Sequence, residues 1–278
     1  MSGAEAVTLV PAAAAYFRDL QTKICAAFEA FESSARFEER AWRKPDGHRL
    51  SGGGQSRVMR GEVFEKVGVN FSHVWGSFAP GARQQLPGVE ESAGRFVACG
   101  ISLVAHMVNP YVPTVHMNLR ILSTSRTWFG GGADLTPTFP FPEDTTEFHA
   151  ALQQACDGYR PEAYREFKEW CDRYFYLPHR QEPRGVGGIF FDELSSASLE
   201  ADFAFVQRVG EAFVAVYPRI VARRSAHPYD ESAREQLLYK RGRYVEFNLV
   251  YDRGTKFGFQ TDADPEAYLM SLPPLVRW

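Results

Sequence analysis

Residues 114–122, TVHMNLRIL, alternate strictly: Val115, Met117, Leu119 and Ile121 are apolar, and His116, Asn118 and Arg120 fall between them. Successive side chains of an extended strand point to opposite faces. The pattern therefore predicts a strand with one face in a core. The other face carries an imidazole, an amide and a guanidinium in one row, at steps of about 6.6 Å. Residues 100–107, GISLVAHM, repeat the pattern, with Ile101, Leu103 and Ala105 on one face and Ser102, Val104 and His106 on the other. A turn at 109–113 would make these strands neighbours, bringing Ser102, His106, His116, Asn118 and Arg120 to one surface.

Further strands are expected at 57–64, 67–75, 95–107 and 187–194, with a loop at 80–94. Another is expected at 243–251, RYVEFNLVY, where Val245, Phe247 and Leu249 share a face. Apolar spacing predicts helices at 16–31, 146–156, 161–174 and 198–217, the last capped by Ser198, with shorter ones after Pro218 and Asp230. The glycine-rich stretches 51–57 (SGGGQSR) and 128–137 (WFGGGADLTP) read as a loop and a turn-rich segment. Strands come in blocks rather than in a βαβ rhythm. The expected fold is α+β, a large, mainly antiparallel sheet flanked by helices on both faces. It forms one domain over residues 1–278, with 1–50 as a helical region packed on it.

Composition narrows this picture modestly. The 278 residues are 45% hydrophobic and 23% charged, with a net charge of −3, which gives no sign of a nucleic-acid or anionic-membrane partner. Four scattered cysteines form no CxxC and no zinc spacing, no signal peptide is evident, and no run is long enough to span a membrane. A cytoplasmic protein is expected. Aromatic residues reach 14%, which suits a large planar ligand and equally a large sheet core.

The chemistry concentrates in few places. Arg120 beside Asn118 and His116 forms a clamp for an anion next to a proton carrier; the alternative is a solvated sheet face. Asp134 follows three glycines and two bulky aromatics, where it could meet ligand N–H groups or cap its own turn. Residues 179–184 (HRQEPR) and 252–256 (DRGTK) carry cations that suit a binding site or a surface loop alike. The 51–57 loop could cradle an anion or be merely flexible. His106, His116, His149 and His179 are metal candidates, in no HExxH, HxH or HxE pattern. Neither a nucleotide fingerprint nor a nucleophile elbow occurs. Together these residues fit a large, flat ligand with carboxylates around its edge and N–H donors at its centre.

GVNFSHVWG, GISLVAHMVNPYVPTVHMNLR, WFGGGADLTP, KEWCDRYFYLPHR, RGVGGIFFDEL, RGRYVEFNLVYDRGTKFGFQT and LMSLPPLVRW resemble oxygen-dependent coproporphyrinogen III oxidase, from about Gly52 to Trp278. The resemblance implies an antiparallel-sheet fold and a homodimer. It also implies a reaction of haem biosynthesis: oxidative decarboxylation of two propionates of coproporphyrinogen III to vinyl groups. The products would be protoporphyrinogen IX, CO2 and hydrogen peroxide, with O2 as acceptor and no cofactor required. It further implies that Ser102, Asn118, Leu119 and Arg120 contact substrate, that His116 is the acid/base and that Asp134 meets the pyrrole N–H groups. Arg180, Arg184, Arg253 and Lys256 match basic positions near the site or the dimer contact. His106, His116, His149 and His179 match histidines proposed as metal ligands, which nothing in the residues favours. A non-catalytic tetrapyrrole-binding protein is the alternative reading. Asp262-Ala263-Asp264-Pro265 stands where many relatives carry a Gly-rich turn with an Arg, and relatives continue past Trp278 with a tail.

Overall fold

The computed structural model describes residues 3–78, 86–260 and 264–278. Helix α1 (Gly3–Glu29) is followed by six strands: β1 (Glu38–Arg43), β2 (Leu50–Met59), β3 (Phe64–Ser77), β4 (Arg95–Met107), β5 (Thr114–Ser123) and β6 (Thr127–Thr136). Helices α2 (Pro142–Asp157) and α3 (Ala163–Tyr174) come next, then the two-residue strands β7 (Tyr176–Leu177) and β8 (Glu182–Pro183), and β9 (Gly187–Leu194). Four helices close the chain: α4 (Leu199–Arg224), α5 (Glu231–Val250), α6 (Arg253–Gln260) and α7 (Pro265–Tyr268), the last running into a 3₁₀ turn at Leu269–Ser271. The main sheet has seven strands in the order β1-β2-β3-β4-β5-β6-β9, and every pairing is antiparallel. The α+β expectation holds, as does the pairing of β4 with β5, which sets Ser102 opposite Asn118 and Gly100 opposite Arg120.

The sheet's two faces differ in chemistry. One carries Val69, Phe71, Ile101, Leu103, Val115, Met117, Leu119, Ile121 and Phe191 into a continuous core against α1 and α4. Leu119 is fully buried there. The opposite face carries Ser102, His106, His116, Asn118, Arg120 and Asp134. It is partly covered by α5 and by the 3₁₀ turn, whose Met270 packs over Gly68. The stretch 1–50 is not wholly helical, because β1 forms the sheet edge.

Four sequence expectations are corrected. The 243–251 run is helix, not strand. From the Asp230 cap, α5 buries Ala233, Leu237, Arg241, Tyr244, Val245 and Asn248, a helical stripe hidden in the sequence because two of its members are polar. Leu249, which alternation sets on one face with Val245 and Phe247, is 45% exposed. The 51–57 stretch is strand β2, and its glycines let Trp42 of the neighbouring strand lie against it. The 128–137 stretch, up to Thr136, is strand β6, which is buried along its whole length. Finally, α4 runs through Pro218 without a break. Tyr217, Ile220 and Val221 around the proline are all fully buried, and their packing outweighs the lost backbone bond. Asp262 and Ala263 lie outside the described residues. Asp264 caps α7 and pairs with Arg40 at 2.9 Å.

Candidate active site

The polar row of β5 is a hydrogen-bonded chain. Arg120 Nη1 donates to Asn118 Oδ1 at 2.8 Å, and Asn118 Nδ2 lies 3.2 Å from His116 Nε2. His116 Nδ1 lies 2.8 Å from Asp134 Oδ1 on the next strand, directly opposite it in register. Donor capacity orients the whole chain. Arg120 can only donate, so the amide oxygen of Asn118 faces it and the amide nitrogen faces His116. His116 therefore accepts at Nε2 and carries its proton on Nδ1, donated to Asp134. A glycine of β6 leaves room for the row: Gly130 lies opposite Arg120 in register. A Cβ at Gly130 would come within 2.7 Å of Arg120 Nη2.

Asp134 is 1% exposed, and its second oxygen accepts from Arg184 Nη2 at 2.7 Å. Burial alone would raise the Asp134 pKa. The Arg184 charge and the His116 bond outweigh it and hold the carboxyl below its ordinary value. Arg184 is itself buried, its guanidinium carbon 3.9 Å from the centre of the Phe175 ring, 4.5 Å from Tyr244 and 4.7 Å from Phe247. Its Nη1 donates to Asn248 Oδ1 at 3.2 Å. Arg184 thus keeps Asp134 ionised, and Asp134 fixes the His116 tautomer and would stabilise the ring once Nε2 takes a proton.

This row borders a cavity of about 690 Å³, a size typical of small-molecule sites. Ser102, His116, Asn118, Arg120, Arg184, Arg253 and Lys256 line it. Asp134 does not line it, and both its oxygens are engaged by side chains, so it stands behind the wall rather than on it. Leu119 also borders the cavity, but its side chain belongs to the opposite, helix-side core and brings no polar contact. His179 and Arg180 lie elsewhere, both bonded to Glu246.

The four histidines do not form a ligand set. His106 Nε2 donates to the Ser271 carbonyl, His149 is held between Tyr164 and the Val186 carbonyl, and His179 sits between Glu246 and Tyr251. Among the described residues no three His, Cys, Asp or Glu side chains converge on one point.

His106 has a structural consequence instead. Burial, with the Arg241 charge second, pushes its pKa from 6.5 down to about 3. The unfolded chain binds a proton there below pH 6.5 that the folded chain refuses. Stability is therefore full above that pH and falls as pH drops toward 3, by up to about 1.4 kcal/mol per pH unit. Urea unfolding of the His106→Gln variant between pH 7.5 and 4.5 is expected to show a pH slope shallower than that of the unsubstituted protein by about that amount.

Several cavity residues escaped the sequence reading. Tyr244 and Asn248 sit on α5, and their spacing is legible only as helix. Asp192, on β9, pairs with Arg120 at 2.9 Å and carried no motif of its own. Lys44, Trp42 and Leu50 come from the β1–β2 hairpin, and sheet order alone brings them there.

The family profile described as Coproporphyrinogen III oxidase matches residues 12–278. The chain is 50% identical over 272 residues to the oxygen-dependent coproporphyrinogen-III oxidase of Rickettsia bellii (strain OSU 85-389), covering 95% of this chain and 96% of that protein. The proteins of the same name from Rickettsia akari (strain Hartford) and Rickettsia rickettsii (strain Sheila Smith) are 50% and 48% identical over the same shares. With both the profile and these relatives covering nearly its whole length, the chain belongs to the coproporphyrinogen III oxidase family.

Proposed function

We infer that the cavity binds coproporphyrinogen III, that the chain is an oxygen-dependent oxidase of it, as its relatives' name indicates, and that the reaction converts two of the substrate's propionates to vinyl groups. The observation that carries this reading is the bonded row Arg184–Asp134–His116–Asn118–Arg120, ending on a cavity lined also by Arg253 and Lys256. Each step balances as R–CH2CH2–COO⁻ + O2 + H⁺ → R–CH=CH2 + CO2 + H2O2. Arg120 binds the carboxylate about to leave. His116 Nε2, unprotonated and held by Asp134, takes the proton released as electrons pass from the electron-rich pyrrole to O2. The 3.2 Å Asn118 bond is the one displaced when that proton arrives. Asp134 acts through His116 as a positioning residue.

The reaction draws on the substrate's own electrons and is assigned no resident cofactor or metal. The histidines' separate hydrogen bonds support that assignment. No helix among the described residues is long and apolar enough to cross a membrane, which fits a cytoplasmic site of action. Leu249, Val250, Phe259, Leu275 and Trp278 are all at least 45% exposed and suit contact with a second copy of the chain.

The purified protein, given coproporphyrinogen III and O2 in the presence of a strong chelator, is expected to yield protoporphyrinogen IX. Activity that disappears with the chelator and returns with added metal would reject the metal-free assignment. Stoichiometric binding without product would favour a tetrapyrrole-binding protein.

A further inference from the structure

Resting on that reading, we propose that Asp192 is the carboxylate that accepts the N–H groups at the centre of the macrocycle. A porphyrinogen carries four inner N–H donors, and burying them without acceptors is costly. The cavity wall holds three carboxylates, Asp192, Glu193 and Asp252, with Asp134 buried behind it. Asp134 is fully engaged by His116 and Arg184. Asp252 is engaged as well, accepting from Tyr174 through Oδ1 and from both the backbone and hydroxyl of Thr255 through Oδ2. Glu193 is exposed. Asp192 differs from all of these. Its Oδ1 pairs with Arg120 Nη2 at 2.9 Å, and the nearest cation to its Oδ2 is Arg253 at 3.6 Å, beyond hydrogen-bond range, on a side chain 57% exposed. Oδ2 retains its accepting capacity.

The backbone is shaped to present this group. Between β6 and β9 the register shifts: Phe129 faces Leu194 and Gly131 faces Phe191, so Asp192 and Glu193 together oppose Gly130. Such a bulge re-aims a side chain and is favoured beside active sites. Glu193 pays for it with φ +50°, an uncommon conformation for a non-glycine residue. Gly130 leaves the room: a Cβ there would stand 2.6 Å from Asp192 Oδ1. The resulting order of charges along the wall is Arg120, Asp192, Arg253. That order complements a ligand whose rim is anionic and whose centre offers N–H groups. An anion at the centre would also stabilise the positive charge that develops as the pyrroles lose electrons.

The test separates this role from a mere clamp on Arg120. Coproporphyrin III, the oxidised ligand, has the same four propionates but two N–H groups fewer. Dissociation constants for coproporphyrinogen III and coproporphyrin III are measured anaerobically by quenching of tryptophan fluorescence, since Trp42 and Trp128 line the cavity. Asp192→Asn and Asp192→Leu are expected to weaken coproporphyrinogen binding by about tenfold or more while changing coproporphyrin binding less than about threefold. If both constants shift together, or neither shifts, the inference is overturned, and the asparagine variant, nearly isosteric, decides should the leucine variant not fold. Failure of the unsubstituted protein to turn over coproporphyrinogen would instead reject the function itself.

Discussion

Asp134→Asn is expected to abolish turnover and to destabilise the fold by about 3–5 kcal/mol. The substitution keeps the shape of the side chain but leaves the buried Arg184 guanidinium without its counter-charge, inside a cage of Phe175, Tyr244 and Phe247. The amide also keeps a single accepting oxygen for two donors; with that oxygen turned to Arg184, its nitrogen faces His116 Nδ1 and imposes the wrong tautomer on the ring. The two losses are separable. Adding Arg184→Met to Asp134→Asn removes the orphaned charge and is expected to recover most of the stability, because a buried ion pair and a well-packed apolar replacement are often near-equal. Turnover is expected to stay absent in the double variant. Chemical denaturation of the four members of this cycle, with activity measured on each, checks both statements. Recovery of activity with stability would mean that Asp134 serves the fold alone.

Arg120→Lys is expected to lower kcat/KM for coproporphyrinogen III by about 100-fold, a loss of about 3 kcal/mol of interaction with the carboxylate. The guanidinium reaches Asn118 through Nη1 and Asp192 through Nη2 while still offering N–H groups to the cavity, and an ammonium cannot span that fork. Arg120 is 30% exposed at its side chain, so its loss should cost the fold little. Steady-state kinetics alongside a thermal melt distinguish the two variants: Asp134→Asn loses stability and turnover together, Arg120→Lys chiefly turnover.

The sequence was most legible where alternation, polarity and a short turn agreed. The strands β4 and β5 and the polar row His116, Asn118, Arg120 follow from period-two spacing, because one side of each strand is fully apolar, and the short 109–113 turn makes them neighbours; their register is a product of folding. The glycine-rich segments were misread for a physical reason. Glycine usually marks a turn, but on β2 and β6 it makes room across the sheet for Trp42 and Arg120. The 243–251 stretch alternates as cleanly as β5, yet it is helix, since its buried stripe includes Arg241 and Asn248, which hydrophobicity does not reveal. Asp134 was singled out by its neighbours in sequence, but its engagement by Arg184, fifty residues away, is a product of folding. Asp192 depends on a bulge, which leaves no local signature in FFDEL.

In the proposed reaction, residues of this chain direct electrons from the substrate to O2, two for each propionate lost. Counting products tests it most directly: CO2, hydrogen peroxide and vinyl groups are measured together during turnover of coproporphyrinogen III by the purified protein. Equal amounts of all three are predicted. Vinyl groups and CO2 formed without matching hydrogen peroxide, in assays free of catalase, would contradict it.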